Sequence, residues 1–352
     1  MILRRLVFAL CLGSASLLSS VAHAATKQSF SVCWTIYAGW MPWEYAQTQG
    51  IVDKWAKKYG IQVKIVQIND YVESINQYTA GKFDGCTMTN MDALTIPAAG
   101  GVDSTALIPG SYSSGNDGIV LKGKGKTLKD IKGLNVNLVQ FSVSHYLLAR
   151  GLETVGLRER DVKVVNTSDA DIAGAFASPS AQAVVTWNPQ LSTVAAMPGA
   201  TAVFDSSKIP GEILDLMVVN TATLKDNPAL GKVLVGAWFE VMAQMKAKNP
   251  AALTHMAKAS GTTLDDYTKQ LATTALQFTP ADAVKLASGP QLPETMKRVA
   301  KFSFEKGLLG QGARNADAIG VAFPNGVVNG NAKNVKLRFD DTFLRLAADG
   351  KL

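Results

Sequence analysis

Beyond its first two dozen residues the chain has no apolar run of the roughly 20 residues that a membrane-spanning helix needs. Cysteine is scarce, three in 352 residues, and no two stand at the short spacing of a metal-binding pair. Histidine is as rare, at 23, 145 and 255. A metal site is therefore not expected. There is no Gly-x-Ser-x-Gly elbow, no phosphate loop and no dinucleotide fingerprint, so the common hydrolase, nucleotide and dinucleotide chemistries lose support. Short-period repeats and low-complexity linkers are absent too. The formal charge is +7, but the lysines are scattered, as at 57–58 and 122–132, with no basic stripe interleaved with aromatics. No nucleic-acid partner is expected.

What is present begins with a processing signal. Arg4 and Arg5 form a basic start, residues 6–18 an apolar stretch, and Ala22-His23-Ala24 a small-x-small cleavage site. Residues 1–24 read as a secretory signal peptide, with a mature start near Ala25. A permanent anchor is the alternative, although the apolar run is short for one. Cys11 follows Leu10, where a lipoprotein signal wants a small residue, so no lipid anchor is read. Removing Arg4 and Arg5 leaves +5. Export permits a disulfide between the remaining Cys33 and Cys86. Both fall in predicted strands, and parallel neighbours rarely offer disulfide geometry, so two buried free thiols are the expectation.

At 47% hydrophobic and 18% charged, the composition is that of an ordinary globular protein of about two domains. The mature chain opens with a predicted strand at 31–37, and Pro42 sits at a favoured first helical position. One helix through Trp43 and Trp55 should end at Gly60. A strand at 62–68 follows, then a helix opened by the capping pair Asp70 and Glu73, a strand at 85–89, and a helix over 91–98 capped by Asn90. The cadence restarts with a short turn at 128–132 and strands at 134–140, 161–166 and 183–187, separated by helices at 144–155 and 169–177. After 217–219 the chain should be mainly helical, with Asn227-Pro228 opening a long helix. Two βαβαβ units in tandem predict two α/β lobes, each with a parallel-rich sheet covered by helices. The expected division is 25–117 for the first part of lobe I, 118–216 for lobe II, and 217–352 for the return to lobe I.

Ligands of open α/β sheets bind outside the carboxyl ends of the strands. Six segments lie there: 37–44, 89–92, 111–117, 140–145, 186–189 and 211–215. They hold no Lys or Arg. They do hold Glu44, Asp92, Asp117, Glu212, Asp215, Trp40, Trp43 and Trp187. An oxyanion site would be expected to recruit cationic donors. Carboxylates beside indole faces suit a small cation instead, and a neutral planar N–H donor would also fit. Tyr37, Trp40, Asp92, Trp187, Asn188, Glu212 and Asp215 are the candidate ligand residues. Each has a plain alternative. Asp92 falls in a helix first turn, where the dipole favours carboxylates. Trp40, Trp43 and Trp187 suit packing, Asn188 a turn before Pro189, and Glu212 solvent. Asp215, among apolar residues, needs a partner, either a ligand or a structural ion pair. Ser142, Ser144 and His145 suit helix capping.

The chain resembles the nitrate/sulfonate/taurine-type substrate-binding proteins of ABC importers. The resemblance rests on the signal segment, Ala38-Gly39-Trp40, Gly81-Lys-Phe-Asp-Gly85, Thr127-Leu-Lys-Asp-Ile-Lys-Gly133 and Gly156-Leu157 with Asp161-Val162. More narrowly, Gly39-Trp-Met-Pro-Trp43, Thr87-Met-Thr-Asn-Met-Asp92-Ala-Leu94 and Thr186-Trp-Asn-Pro-Gln190 are similar to the branch linked to urea carboxylase. The resemblance implies a type II periplasmic-binding-protein fold with the ligand in the interlobe cleft. It also implies a periplasmic location, no cofactor, and partnership with a membrane permease and a cytoplasmic ATPase; the chain is expected to be monomeric. Guanidine is the solute that best joins the resemblance to the acidic, aromatic turns, with urea as the neutral choice. A sulfonate, taurine or nitrate binder is the alternative. An enzyme like the pyrimidine-precursor synthases of this fold, or a structural exported protein, are the remaining classes. For an enzyme, Cys33 and Cys86 stand away from strand ends and His145 lacks an obvious partner.

Overall fold

The computed structural model describes residues 27–352; the expected signal segment lies outside the described residues. Strand β1 (Ser29–Trp34) leads into helices α1 (Met41–Thr48) and α2 (Ile51–Lys58), then β2 (Gln62–Gln67), α3 (Tyr71–Thr79), β3 (Gly85–Thr89) and the short α4 (Asn90–Ala93). Where one helix is expected up to Gly60 there are two. Gly50 takes φ +68°, a left-handed conformation that glycine adopts freely, and the helix breaks there. Asp70 caps α3 by accepting from the Glu73 N–H at 2.8 Å, while the Glu73 side chain turns to Gln77 and leaves the capping box half made. Thr89 rather than Asn90 caps α4, because Thr89 is still extended and its hydroxyl accepts from the Asp92 N–H.

The chain then runs along β4 (Ser104–Ser113) and crosses to a second sheet. That sheet comprises β5 (Asp117–Lys122), β6 (Asn135–Leu138), β7 (Lys163–Asn166), β8 (Ala183–Trp187) and β9 (Ala200–Asp205). Its helices are α5 (Val143–Thr154), α6 (Ile172–Ala177) and α7 (Gln190–Ala195). The chain returns on β10 (Leu214–Asn220), followed by α8 (Thr221–Asp226) and the long α9 (Pro228–Lys246). The C-terminal third is not only helical. Four short strands, β11 (Thr274–Leu276), β12 (Gly320–Ala322), β13 (Val328–Asn329) and β14 (Val335–Phe339), widen the first sheet. They are too short to leave a periodic signature in the sequence.

The first sheet runs β13-β12-β14-β4-β10-β3-β1-β2, with β11 on β4; the second runs β7-β6-β8-β5-β9. In each, parallel pairs such as β1–β2, β1–β3, β6–β7 and β6–β8 are joined to antiparallel strands at the crossings between lobes. β10 lies antiparallel between β3 and β4, and β5 lies antiparallel between β8 and β9. The second sheet has two covered faces. Ile119, Leu121 and Val185 join the main core, whereas Val120 and Val184 point to Ile172, Phe176, Leu191 and Val194. Among the described residues no helix is long and apolar enough to cross a membrane.

Cys33 and Cys86 are bridged, which corrects the expectation of free thiols. The parallel register of β1 and β3 puts them directly opposite each other, Cα to Cα 4.4 Å, and both are fully buried. The bridge closes a loop between positions 53 apart. Replacing both cysteines with serine should lower unfolding free energy by about 2–4 kcal/mol. Urea denaturation of the two proteins checks this, and unreduced, denatured protein spanning 27–352 should titrate no free thiol.

Candidate solute-binding site between the lobes

Strand register places the first carboxylates. Asp117 opens β5 directly opposite Trp187, the last residue of β8. Asp215, second in β10, stands opposite Thr89 on one side and Ser111 on the other. Both aspartates therefore sit where the chain passes between lobes, and both face a small cavity. Its wall is Tyr37, Trp40, Tyr71, Thr89, Asp117, Val143, Trp187, Ile213 and Asp215. The cavity is small, about 10 Å³, on the scale of a single water molecule with the lobes in this arrangement. The wall contains no Lys, Arg or His.

Each cavity aspartate is held by one oxygen. Asp215 Oδ2 accepts from the Ser111 hydroxyl at 2.6 Å and the Tyr37 hydroxyl at 3.0 Å. Asp117 Oδ2 accepts from Ser113 Oγ at 2.5 Å. Neither has a cationic partner. Burial raises both carboxyls, Asp215 to about 6 and Asp117 to about 7; Asp215 and Asp92 push Asp117 further up by like-charge repulsion. The phenols of Tyr37 and Tyr71 are raised by burial and then by Asp215 and Asp92 respectively, so both stay protonated as donors.

Four aromatic rings form the remaining wall as a connected series. Tyr37 meets Trp40 edge-on at 5.0 Å between centroids, Trp40 meets Tyr71 at 5.9 Å, and Tyr71 meets Trp187 edge-on at 5.4 Å. Edge-to-face contacts hold the rings at fixed angles. Ring faces turned to the cavity would attract a cation by their negative quadrupoles.

Of the residues singled out in the sequence, Tyr37, Trp40, Trp187 and Asp215 line the cavity, and Asp92, Asn188 and Glu212 do not. Asp92 is fully buried behind the wall. Its Oδ2 accepts from the Tyr71 hydroxyl at 2.6 Å and the Thr89 hydroxyl at 2.7 Å. Asn188 works locally. Its Oδ1 accepts from the backbone N–H and the hydroxyl of Ser192, and its carbonyl accepts from the Ala38 N–H across the cleft at 3.3 Å. Glu212 is not solvent-facing. It takes a two-toothed ion pair from Arg150 (Nε 2.8 Å, Nη2 3.0 Å) and a bond from the Tyr146 hydroxyl at 2.5 Å, which hold its carboxyl below the usual range despite burial. Trp43 packs on Trp238 in the core, and Glu44 pairs with His255. Ser142 caps α5, and His145, pushed down to about 4 by burial, accepts from the Phe141 N–H.

The residues not singled out are Tyr71, Thr89, Asp117, Val143 and Ile213. Thr89, Asp117, Val143 and Ile213 lie in segments chosen for their place at strand ends, and of these Asp117 carries a chemical signal, while valine and isoleucine there read as core. Tyr71 carries none, because a tyrosine in a helix first turn reads as core. Among the described residues no group of three or more His, Cys, Asp or Glu could hold a metal ion.

The architecture is that of known binding proteins. The alkanesulfonate-binding protein of Xanthomonas axonopodis pv. citri, solved with MOPS, superposes with a TM-score of 0.67 at 16% identity, over 82% of this chain and 96% of that one. The periplasmic aliphatic sulphonate-binding protein of Escherichia coli matches with a TM-score of 0.67 at 17% identity, over 81% and 94%. The periplasmic nitrate-binding protein of Synechocystis PCC 6803 matches with a TM-score of 0.66 at 11% identity, over 92% and 89%. These likenesses establish the two-lobed, mixed α/β periplasmic-binding-protein fold. No curated protein sequence matches the chain. The family model described as NMT1/THI5 like matches residues 41–252, more than half of the 352, and the chain belongs to that family.

Proposed function

We propose that this protein is the periplasmic solute-binding component of an ABC importer, and that its solute is a small planar cation, guanidinium. The observation that carries this is the pair of buried aspartates, Asp117 and Asp215, facing four aromatic rings with no basic side chain in the wall. Two carboxylates taken from water without a counter-charge are costly. A ligand that brings positive charge and N–H donors offsets that cost. Guanidinium does both, and its flat faces suit the rings of Trp40, Tyr71 and Trp187. The relatives named for sulfonate and nitrate share the fold; for an oxyanion, the two carboxylates of this wall would be repulsive.

Capture would follow from closure of the lobes. Tyr37, Trp40, Tyr71, Thr89 and Asp215 come from the first lobe, and Val143 and Trp187 from the second, with Asp117 at the crossing. A solute touching both sides stabilises the closed arrangement over any open one. Delivery to a membrane permease and its ATPase is the expected next step.

Replacing either aspartate by asparagine removes a charge-assisted contact worth about 2–5 kcal/mol. Asp117→Asn or Asp215→Asn should therefore weaken guanidinium by about 30-fold or more, and urea far less. Calorimetric titration with both solutes reads this. Equal losses for guanidinium and urea, or binding of nitrate or methanesulfonate by the native protein, would rule out the cation reading.

The same carboxyls tie stability to pH. Asp117 at about 7 and Asp92 and Asp215 at about 6 hold protons more tightly in the folded chain than at the ordinary value of 3.8. Folding therefore takes up protons between about pH 4 and 7, and solute-free stability falls as pH rises through that window. Asp117→Asn should gain on the order of 1–4 kcal/mol at pH 8 and nothing at pH 4. Thermal melts across that range check the sign; a variant less stable than the native protein at pH 8 contradicts it.

A further inference from the structure

Asp92 is a buried carboxylate with no cation beside it. Its side chain is wholly inaccessible, and no Lys, Arg or His forms an ion pair with it. Instead two hydroxyls hold it, beside the start of a helix. The Tyr71 and Thr89 hydroxyls donate to Oδ2 at 2.6 and 2.7 Å. The Val143 N–H favours the charged form without making an ordinary hydrogen bond, and Oδ1 has no hydrogen-bond partner. Val143 is the first residue of α5, a twelve-residue helix, and its N–H is one of those a helix leaves unpaired. A carboxylate of the first lobe thus meets the positive end of a helix of the second. Tyr71, Thr89 and Val143 all belong to the cavity wall as well. The hydroxyls of Tyr71 and Thr89 are turned to Asp92.

Such a convergence of hydroxyls beside a helix N-terminus offers donors to an anion and offsets part of the burial that raises Asp92 to about 6. We infer that Asp92 is an internal anion that occupies these donors, fixes the Tyr71 ring in the cavity wall, and denies the site to anionic solutes. It acts as a positioning and specificity-determining residue, not as a solute contact. The specificity consequence rests on the cation reading above; the anion hole itself does not.

Truncating Asp92 should leave a carboxylate-sized hole lined by the same donors, and formate is the probe that fits it. Asp92→Ala should show saturable, formate-dependent stabilisation in thermal melts, while the native protein and Asp92→Asn, whose holes are filled, show none. Guanidinium affinity of Asp92→Ala should fall at least tenfold and return with formate. If Asp92→Ala does not fold unaided, formate-dependent folding by circular dichroism is the expected result instead. Absence of any formate effect on Asp92→Ala, or an equal effect on the native protein or Asp92→Asn, overturns the inference. The melts contain no guanidinium. Formate stabilisation of Asp92→Ala beside a native protein that binds no guanidinium would support the hole and reject the cation reading.

Discussion

The arrangement depends on negative charge held in a low-dielectric gap without a matching positive side chain. Asp117 and Asp215 stand at the two places where the chain passes between lobes, so their mutual repulsion is felt at the crossings themselves. Hydroxyls of Ser113, Ser111 and Tyr37 steady one oxygen of each. Those bonds soften the desolvation cost and leave it unbalanced, as the upward displacement of both carboxyls records. A cation between the lobes would complete the balance and would couple capture to closure through one electrostatic interaction.

Elsewhere the protein balances buried charge internally, and the contrast is instructive. Glu212 lies a few residues from Asp215 but is answered by Arg150, with Arg298 nearby, and its carboxyl moves down rather than up. A second interlobe contact uses a backbone group: Asp169 of the second lobe accepts from the Tyr71 N–H at 3.4 Å, at the start of α3. With Asp92 facing the start of α5, each lobe offers a carboxylate to a helix N-terminus of the other. These contacts surround Tyr71, whose N–H, hydroxyl and ring face three different partners. The aromatic wall is therefore tied to both lobes.

Much of this was legible in residue order. The restart of the strand–helix cadence marked two lobes, and strands 85–89 and 183–187 fall where that cadence put them. Pro228 opens a long helix, and Asp70 caps another. The acidic and aromatic character of the strand-end turns was also readable, as was their lack of Lys and Arg. Glu212 shows the limit of that reading. Its segment holds no basic residue, but Arg150 reaches it from 62 positions away.

Local patterning, then, set many of the strands and helices and the acidic character of the strand-end turns, because each depends on neighbours within about ten residues; the long β4, β5 and β9 and the short C-terminal strands were not read from it. Tertiary structure alone decided which carboxylates are left uncompensated. Sheet register put Trp187 opposite Asp117 and Ser111 opposite Asp215. The parallel pairing of β1 and β3 brought Cys33 to Cys86. Helix docking set Arg150 on Glu212 and the start of α5 against Asp92. The reason is physical. A buried charge is governed by whatever lies within a few ångströms of it, and for these residues that is chain from the other lobe or a distant strand.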